Sequence, residues 1–152
     1  MKKKFEVTRI LPYKHTLVFE QIVNFERYEQ YLPFCTASRS LDTDNENFSQ
    51  VGELEFEIVG VSYKIRSGNV IEDERILITQ IKGPFEEMQA SWDVKQLDYE
   101  SCKISFRVNA KVPHFLGILL SDSTVKKFVN IFLDSFVNDL DTRIKKETKP
   151  TK

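Results

Sequence analysis

Apolar and polar residues alternate from residue 4 to residue 11, the two-residue period of a half-buried strand. Pro12 ends that ladder because it has no amide hydrogen to donate. From residue 15 to residue 25 the period lengthens, with Leu17, Val18, Ile22 and Phe25 at helical spacing around one polar intruder, Gln21; Thr16 is the capping candidate for this helix. A second helical turn is expected from Arg27 to Tyr31, and Pro33 stops it by forcing its predecessor out of the helical region.

From Phe34 to Val112 the period returns to two. Turn residues interrupt it at Asp42 to Asn45, Gly60, Gly68 with Asn69, Glu72 to Glu74, Gly83 with Pro84, and Asp98 to Ser101. That spacing predicts about six strands connected as an antiparallel meander. One face carries Leu54, Phe56 and Ile58, then Met88, Ala90, Trp92 and Val94, then Cys102, Ile104, Phe106, Val108 and Ala110. The other carries Glu55, Glu57, Gln89, Asp93, Lys95, Lys103, Arg107 and Asn109. One side of the sheet is therefore expected to be buried and the other wetted.

The final segment is helical again. Ser121, Asp122 and Ser123 are cap candidates, and Val125, Phe128, Val129, Phe132, Phe136, Leu140 and Ile144 recur three or four apart. A helix from Ser123 to Lys146 extends about 35 Å at 1.5 Å per residue, enough to cross the whole sheet. Its apolar stripe and the apolar sheet face each need a cover, so the two are expected to pack on each other. The predicted fold is α+β: about seven antiparallel strands curved around one long C-terminal helix, with two short helices after the first strand. One domain spans residues 1 to 147, and residues 148 to 152 form a basic tail expected to be disordered.

Composition changes this picture in one respect. Charged residues make up 30% and hydrophobic residues 41% of 152 residues, with a formal net charge of -1; these values suit a single folded domain and supply no global field for a polyanion. The 12 Phe, 5 Tyr and 1 Trp, however, bring more flat apolar surface than a core of this size ordinarily needs, which raises the prospect of a ring-lined cavity. Basic residues gather at the two ends, where solvation accounts for them. No apolar stretch of signal-peptide or membrane-spanning length occurs, so a bacterial cytoplasmic location is the expectation.

The residues offer little conventional chemistry. His15 and His114 stand far apart beside prolines and are expected in surface loops, and Cys35 and Cys102 form no CxxC pair. A zinc site and a thiol or hydroxyl nucleophile with its base are not expected, and the five isolated glycines make no phosphate cradle. Cys35, at the start of a strand, reads as a small packed hydrophobe.

The run Leu11-Pro12-Tyr13, Phe19, Ile22-Val23-Asn24, Arg27-Tyr28 and Tyr31-Leu32-Pro33-Phe34-Cys35 resembles the coenzyme Q-binding START-like family of the polyketide cyclase/START superfamily. The likeness continues through Gly83-Pro84-Phe85, Trp92 and Phe115-Leu116-Gly117. It departs at the position between Tyr28 and Tyr31 where the family carries Pro, and at Phe34 where the family often has Trp. The resemblance implies a helix-grip fold enclosing a tunnel for ubiquinone or a related isoprenoid lipid, with no further cofactor and no catalysis. One branch of the family supports respiratory electron transport as a quinone chaperone or carrier. A bacterial branch is a ribosome-association toxin that binds the large subunit and inhibits translation initiation, and cyclase-type enzymes share the broader fold.

The cavity candidates are Tyr28, Tyr31, Leu32, Phe34 and Phe56, then Tyr63, Phe85, Met88, Trp92 and Phe106, then Phe115, Leu116, Phe128, Phe132 and Phe136. Tyr28, Tyr63 and Arg66 are the candidates for anchoring a polar headgroup. Expected partners are an apolar ligand, an inner-membrane surface touched transiently, and the large ribosomal subunit.

Overall fold

A computed structural model describes residues 1–42, 47–58 and 60–148. The expected turn residues 43 to 45 and the expected tail from 149 lie outside the described residues. Seven antiparallel strands run β1 (Lys2–Leu11), β2 (Cys35–Leu41), β3 (Gln50–Ile58), β4 (Val61–Ile71), β5 (Arg75–Lys82), β6 (Glu87–Asp98) and β7 (Ser101–Lys111). Their order in the sheet is β1-β7-β6-β5-β4-β3-β2, a meander from β2 to β7 completed by the first strand. The helices are α1 (His15–Val23), α2 (Tyr28–Tyr31) with a 3-10 turn at Phe25–Arg27 before it, α3 (His114–Leu119) and α4 (Asp122–Thr148). This is the helix-grip arrangement that the alternating and helical periods predict.

Register confirms the two faces. Phe106 lies between Val7 and Trp92, and Ile104 lies between Arg9 and Val94. The fully buried centre comprises Val18, Ile76, Val94, Cys102, Ile104 and Leu140, joined on the helix side by Val129, Leu133 and Phe136. Removing a leucine from such a centre loses its transfer energy and leaves a void.

Polar contacts fix where α4 lies on the sheet. Along the β1 edge, Arg9 donates to Asp134 at 2.7 Å and to Asn130 at 3.1 Å, Tyr13 donates to Asp141 at 2.9 Å, and Lys3 reaches Asp122 at 3.4 Å. On the opposite flank the buried Gln21 donates to the Phe136 carbonyl at 2.8 Å and accepts from Arg143. Arg27 and Arg143 both approach Asp139 at 3.4 Å. Gln21, the polar intruder in the first helical pattern, is thus the link between α1 and the main chain of α4. Each exposed ion pair contributes little by itself, but together they set the lengthwise position that apolar packing leaves free.

Four expectations need correction. Thr16 does not cap α1, because the helix already begins at His15, whose amide and ring both bond the Gln96 side-chain oxygen (3.1 and 2.6 Å). His15 and His114 accordingly open helices instead of standing in loops. Gly68 and Asn69 make no turn and lie inside β4; a β-carbon on Gly68 would fall 2.5 Å from the Phe48 ring, so glycine is needed there for close approach. Last, α3 was not expected: only six residues long and containing Gly117, it is too short to show a period, and it follows Pro113 in extended conformation.

Two outcomes follow from this packing. Leu140→Ala should destabilise the fold by about 2–5 kcal/mol in urea titrations, since that side chain is buried against the sheet. The Tyr13 hydroxyl is pushed up to about 12 by burial, then by its hydrogen bond to Asp141 and that carboxylate's charge. The contribution of this link is therefore whole below the ordinary tyrosine value near 10 and is lost as pH rises toward 12. Thermal melts across that interval should show stability falling with pH, and Tyr13→Phe should flatten the decline.

Candidate functional site

The inner face of the sheet is filled unevenly. Under the C-terminal half of α4, the side chains of Ile76, Val94, Cys102 and Ile104 are sealed from solvent. Farther along the same face Leu54, Phe56, Tyr63, Ile65, Met88 and Val108 point inward by their alternation yet remain only half-buried. Along the helix Val125, Phe128 and Phe132 are half-buried, Val129, Leu133, Phe136 and Leu140 are buried, and Val137 and Ile144 are again half-buried. Apolar surface left partly open between two layers makes this end the candidate groove.

Two series of rings line this space. Phe34 stacks on Phe128 with centroids 5.0 Å apart, Phe128 meets Phe132 edge-on at 4.8 Å, and Phe132 tilts against Phe56 at 5.6 Å. Deeper in, Tyr31 meets Phe136 at 6.4 Å, Phe136 stacks on Trp92 at 5.8 Å, and Trp92 tilts against Phe106 at 4.5 Å. A second apolar cluster of Ala110, Val112 and Leu116, packed with Tyr63, Phe85, Met88, Val108 and Leu120, closes the end under α3. The structure thus brings Phe34, Phe56, Phe128 and Phe132 together in one series and Tyr31, Trp92, Phe106 and Phe136 in the other. Tyr63, Phe85, Met88 and Leu116 meet at the α3 end. Leu32 is half-buried where α2 turns into β2, and Phe115 on α3 is 68% exposed.

The three anchor candidates occupy different settings. Tyr28 donates its hydroxyl to the Ile22 carbonyl at 2.5 Å, and burial holds it well above the ordinary tyrosine range. Arg66 sits on the outer face, opposite Glu53, and donates to that carboxylate at 3.2 Å. Tyr63 pairs with Phe56 across the strands and faces the groove.

Residue patterns gave no sign of a further polar group, the Tyr31 hydroxyl, which is buried without a hydrogen-bond partner beside Asp139, Gln21, Arg27 and Arg143. Its ionisation is pushed up by burial first and then by the Asp139 charge. Only packing reveals it, because the cluster assembles from α1, α2 and α4.

Cys35 is buried, its thiol donating weakly to the Ala37 carbonyl, and desolvation pushes it up to about 11. At neutral pH it is a packed thiol, not a thiolate nucleophile. An open depression of about 630 Å³ lies outside the groove, against α1 and the β4–β5 turn, lined by His15, Phe19, Val23, Ile71 and Asp73 among others. The half-buried inner faces of the sheet and α4, and not this open surface, are the candidate place for a guest shielded from water. Among the described residues no cluster of His, Cys, Asp and Glu has the geometry to hold a metal ion, and no helix is long and apolar enough to cross a membrane.

Comparison with known proteins agrees with the fold. The sequence model of the family described as polyketide cyclase/dehydrase and lipid transport matches residues 11–136. The ribosome association toxin RatA of Rickettsia prowazekii is 28% identical over 138 residues, 88% of this chain and 82% of that protein. RatA of Escherichia coli is 24% identical over 102 residues, 67% of this chain and 64% of that protein. Among solved structures, an aromatase/cyclase from Streptomyces superposes with a TM-score of 0.80 at 16% identity, covering 95% of this chain and 96% of that one. A START superfamily protein from Mycobacterium smegmatis gives 0.73 at 18% identity, covering 95% and 99%.

The gradient of burial has a measurable consequence. Phe136→Ala should cost about 3–5 kcal/mol in urea unfolding, as for a sealed aromatic ring. Phe128→Ala, on the same helix face but at the open end, should cost less than about 2 kcal/mol, because less surface is returned to water.

Proposed function

The chain belongs to the polyketide cyclase/dehydrase and lipid transport family, and from that membership we propose that it binds an apolar lipid of the isoprenoid-quinone class in the groove between α4 and the sheet. The role is that of a carrier or chaperone supporting respiratory electron transport. The observation that carries this reading is the set of inward-facing apolar side chains left half-buried at one end of the sheet while the other end is sealed. Each methylene withdrawn from water contributes about 0.8 kcal/mol, so a chain of isoprene units binds without many polar contacts. Tyr63, facing the groove, is the anchor we favour for the headgroup.

The role is non-catalytic in this reading. The groove-facing positions of β3, β6 and β7 carry Leu54, Phe56, Ile58, Met88, Ala90, Phe106 and Val108, Tyr63 of β4 is assigned to the headgroup, and acid–base catalysis requires a titratable group within reach of the reacting atoms. The carboxylates of β3 instead lie on the outer face, where Glu53 is paired with Arg39 at 2.8 Å and with Arg66 at 3.2 Å.

A second reading, association with the large ribosomal subunit and inhibition of translation initiation, is favoured by a different observation: relatives covering most of the chain are named ribosome association toxins. Exposed Lys126, Lys127, Lys145 and Lys146 on α4 supply the kind of charge that contacts RNA phosphates. The two readings use different surfaces, the groove in one case and the exterior in the other.

One pair of measurements separates them. Titration with decylubiquinone should quench Trp92, the single tryptophan, and the purified protein should release an isoprenoid lipid on mass spectrometry; Phe132→Ala should weaken the quenching. Absence of both signals would sink the carrier reading. Sucrose-gradient profiles after overexpression should show free subunits accumulating at the expense of joined ribosomes if the second reading holds, and an unchanged profile dismisses it.

A further inference from the structure

Phe34 is the one non-glycine residue at positive φ (68°) among the described residues, a conformation that is costly for a bulky side chain. Its backbone is held from both sides. Pro33 precedes it, its carbonyl accepts from the Glu57 amide at 2.9 Å, and the next residue starts β2 at a bulge between Cys35 and Ala37. The strain serves no burial, since the ring remains 45% exposed. What it achieves is position: the ring lies flat over Phe128, 5.0 Å centroid to centroid and 23° from parallel.

Behind that stack are Phe132 and Phe56, the half-buried rings of the open end. A flat guest sliding between two rings needs about 3.5 Å on each side, or about 7 Å between ring centroids. At 5.0 Å the pair is closed. Phe34 lies just before β2 and Phe128 on α4, so parting them opens the groove at the flank where the chain enters β2 beside α4.

We propose that Phe34 is the gate of the groove: its ring, aimed by the left-handed backbone, closes on Phe128 and must swing away for an apolar ligand to pass. The inference rests on the binding function proposed above and adds to it the route of exchange. The kind of ligand follows from the geometry, since a narrow or flat molecule needs only one ring to move, whereas a bulky one would also have to displace α4.

Stopped-flow quenching of Trp92 by decylubiquinone tests this. In Phe34→Ala the association rate should rise about tenfold, the equivalent of about 1.4 kcal/mol removed from the passage barrier, and the dissociation rate should rise at least as much, because the ring also lines the groove. Phe34→Gly should exchange equally fast and melt higher than Phe34→Ala, since glycine adopts positive φ without strain; it keeps the test valid if the alanine variant folds poorly. Phe34→Tyr, which retains the ring, should restore slow exchange.

Quenching in the wild type with unchanged rates in Phe34→Ala and Phe34→Gly overturns the gate and leaves the binding function standing. Faster exchange in Phe115→Ala instead, with Phe34→Ala unaffected, places the passage under α3 and equally overturns it. No quenching in the wild type overturns both.

Discussion

The long helix α4 is held against a sheet it only half seals, and most features of this protein follow from that. Its position is set by polar side chains on both flanks, Arg9 and Tyr13 from the β1 side and Gln21, Arg27 and Arg143 from the other. Hydrophobic burial alone is non-directional and would let the helix slide along its axis to cover more of the sheet. The hydrogen bond from Gln21 to the Phe136 carbonyl ties a particular turn of α4 to a particular turn of α1. That registry leaves the first turns of α4 over a part of the sheet whose inward residues are only half-buried.

The resulting asymmetry divides labour within one core. Ile76, Val94, Ile104, Leu133 and Leu140 form a close-packed end that supplies stability. Phe56, Met88, Phe128 and Phe132 form an end that keeps accessible surface. Rings suit such a wall because they are large, need few rotamer changes, and stay attractive to one another through edge and stacked contacts when partly uncovered. The strained backbone at Phe34 belongs to the same end, where rigidity serves to place a ring and not to fill a hole.

The family resemblance and the geometry point to the same class of partner by independent routes. The family description includes lipid transport, and the groove offers apolar walls with few polar groups facing it. The relatives named for ribosome association draw attention to the outside of the molecule, and a protein of this shape has room for both uses, because the groove and the exposed face of α4 do not overlap.

By itself the sequence determined the elements and their facing. Strict alternation in residues 102 to 110 decides which side of β7 is buried, and three-and-four spacing from Val125 to Ile144 decides which stripe of α4 meets it; both are periods of the backbone itself. The ring-rich composition pointed to a larger set of rings around one space, of which Phe34, Phe56, Phe128 and Phe132 form one contiguous series while Phe115 is exposed. Local reading failed where a single distant contact governs: Gly68 has the look of a turn residue until Phe48 fills the place of its side chain, and α3 is too short for its period to show. Only the tertiary structure decided that Arg66 is paired with Glu53, that Phe34 adopts positive φ, and that the rings of the first turns of α4 stay half-buried. Those outcomes depend on separations between layers, which are set by contacts such as Gln21 to Phe136 across 115 residues of chain, and a periodic pattern along one segment carries no information about the distance to another.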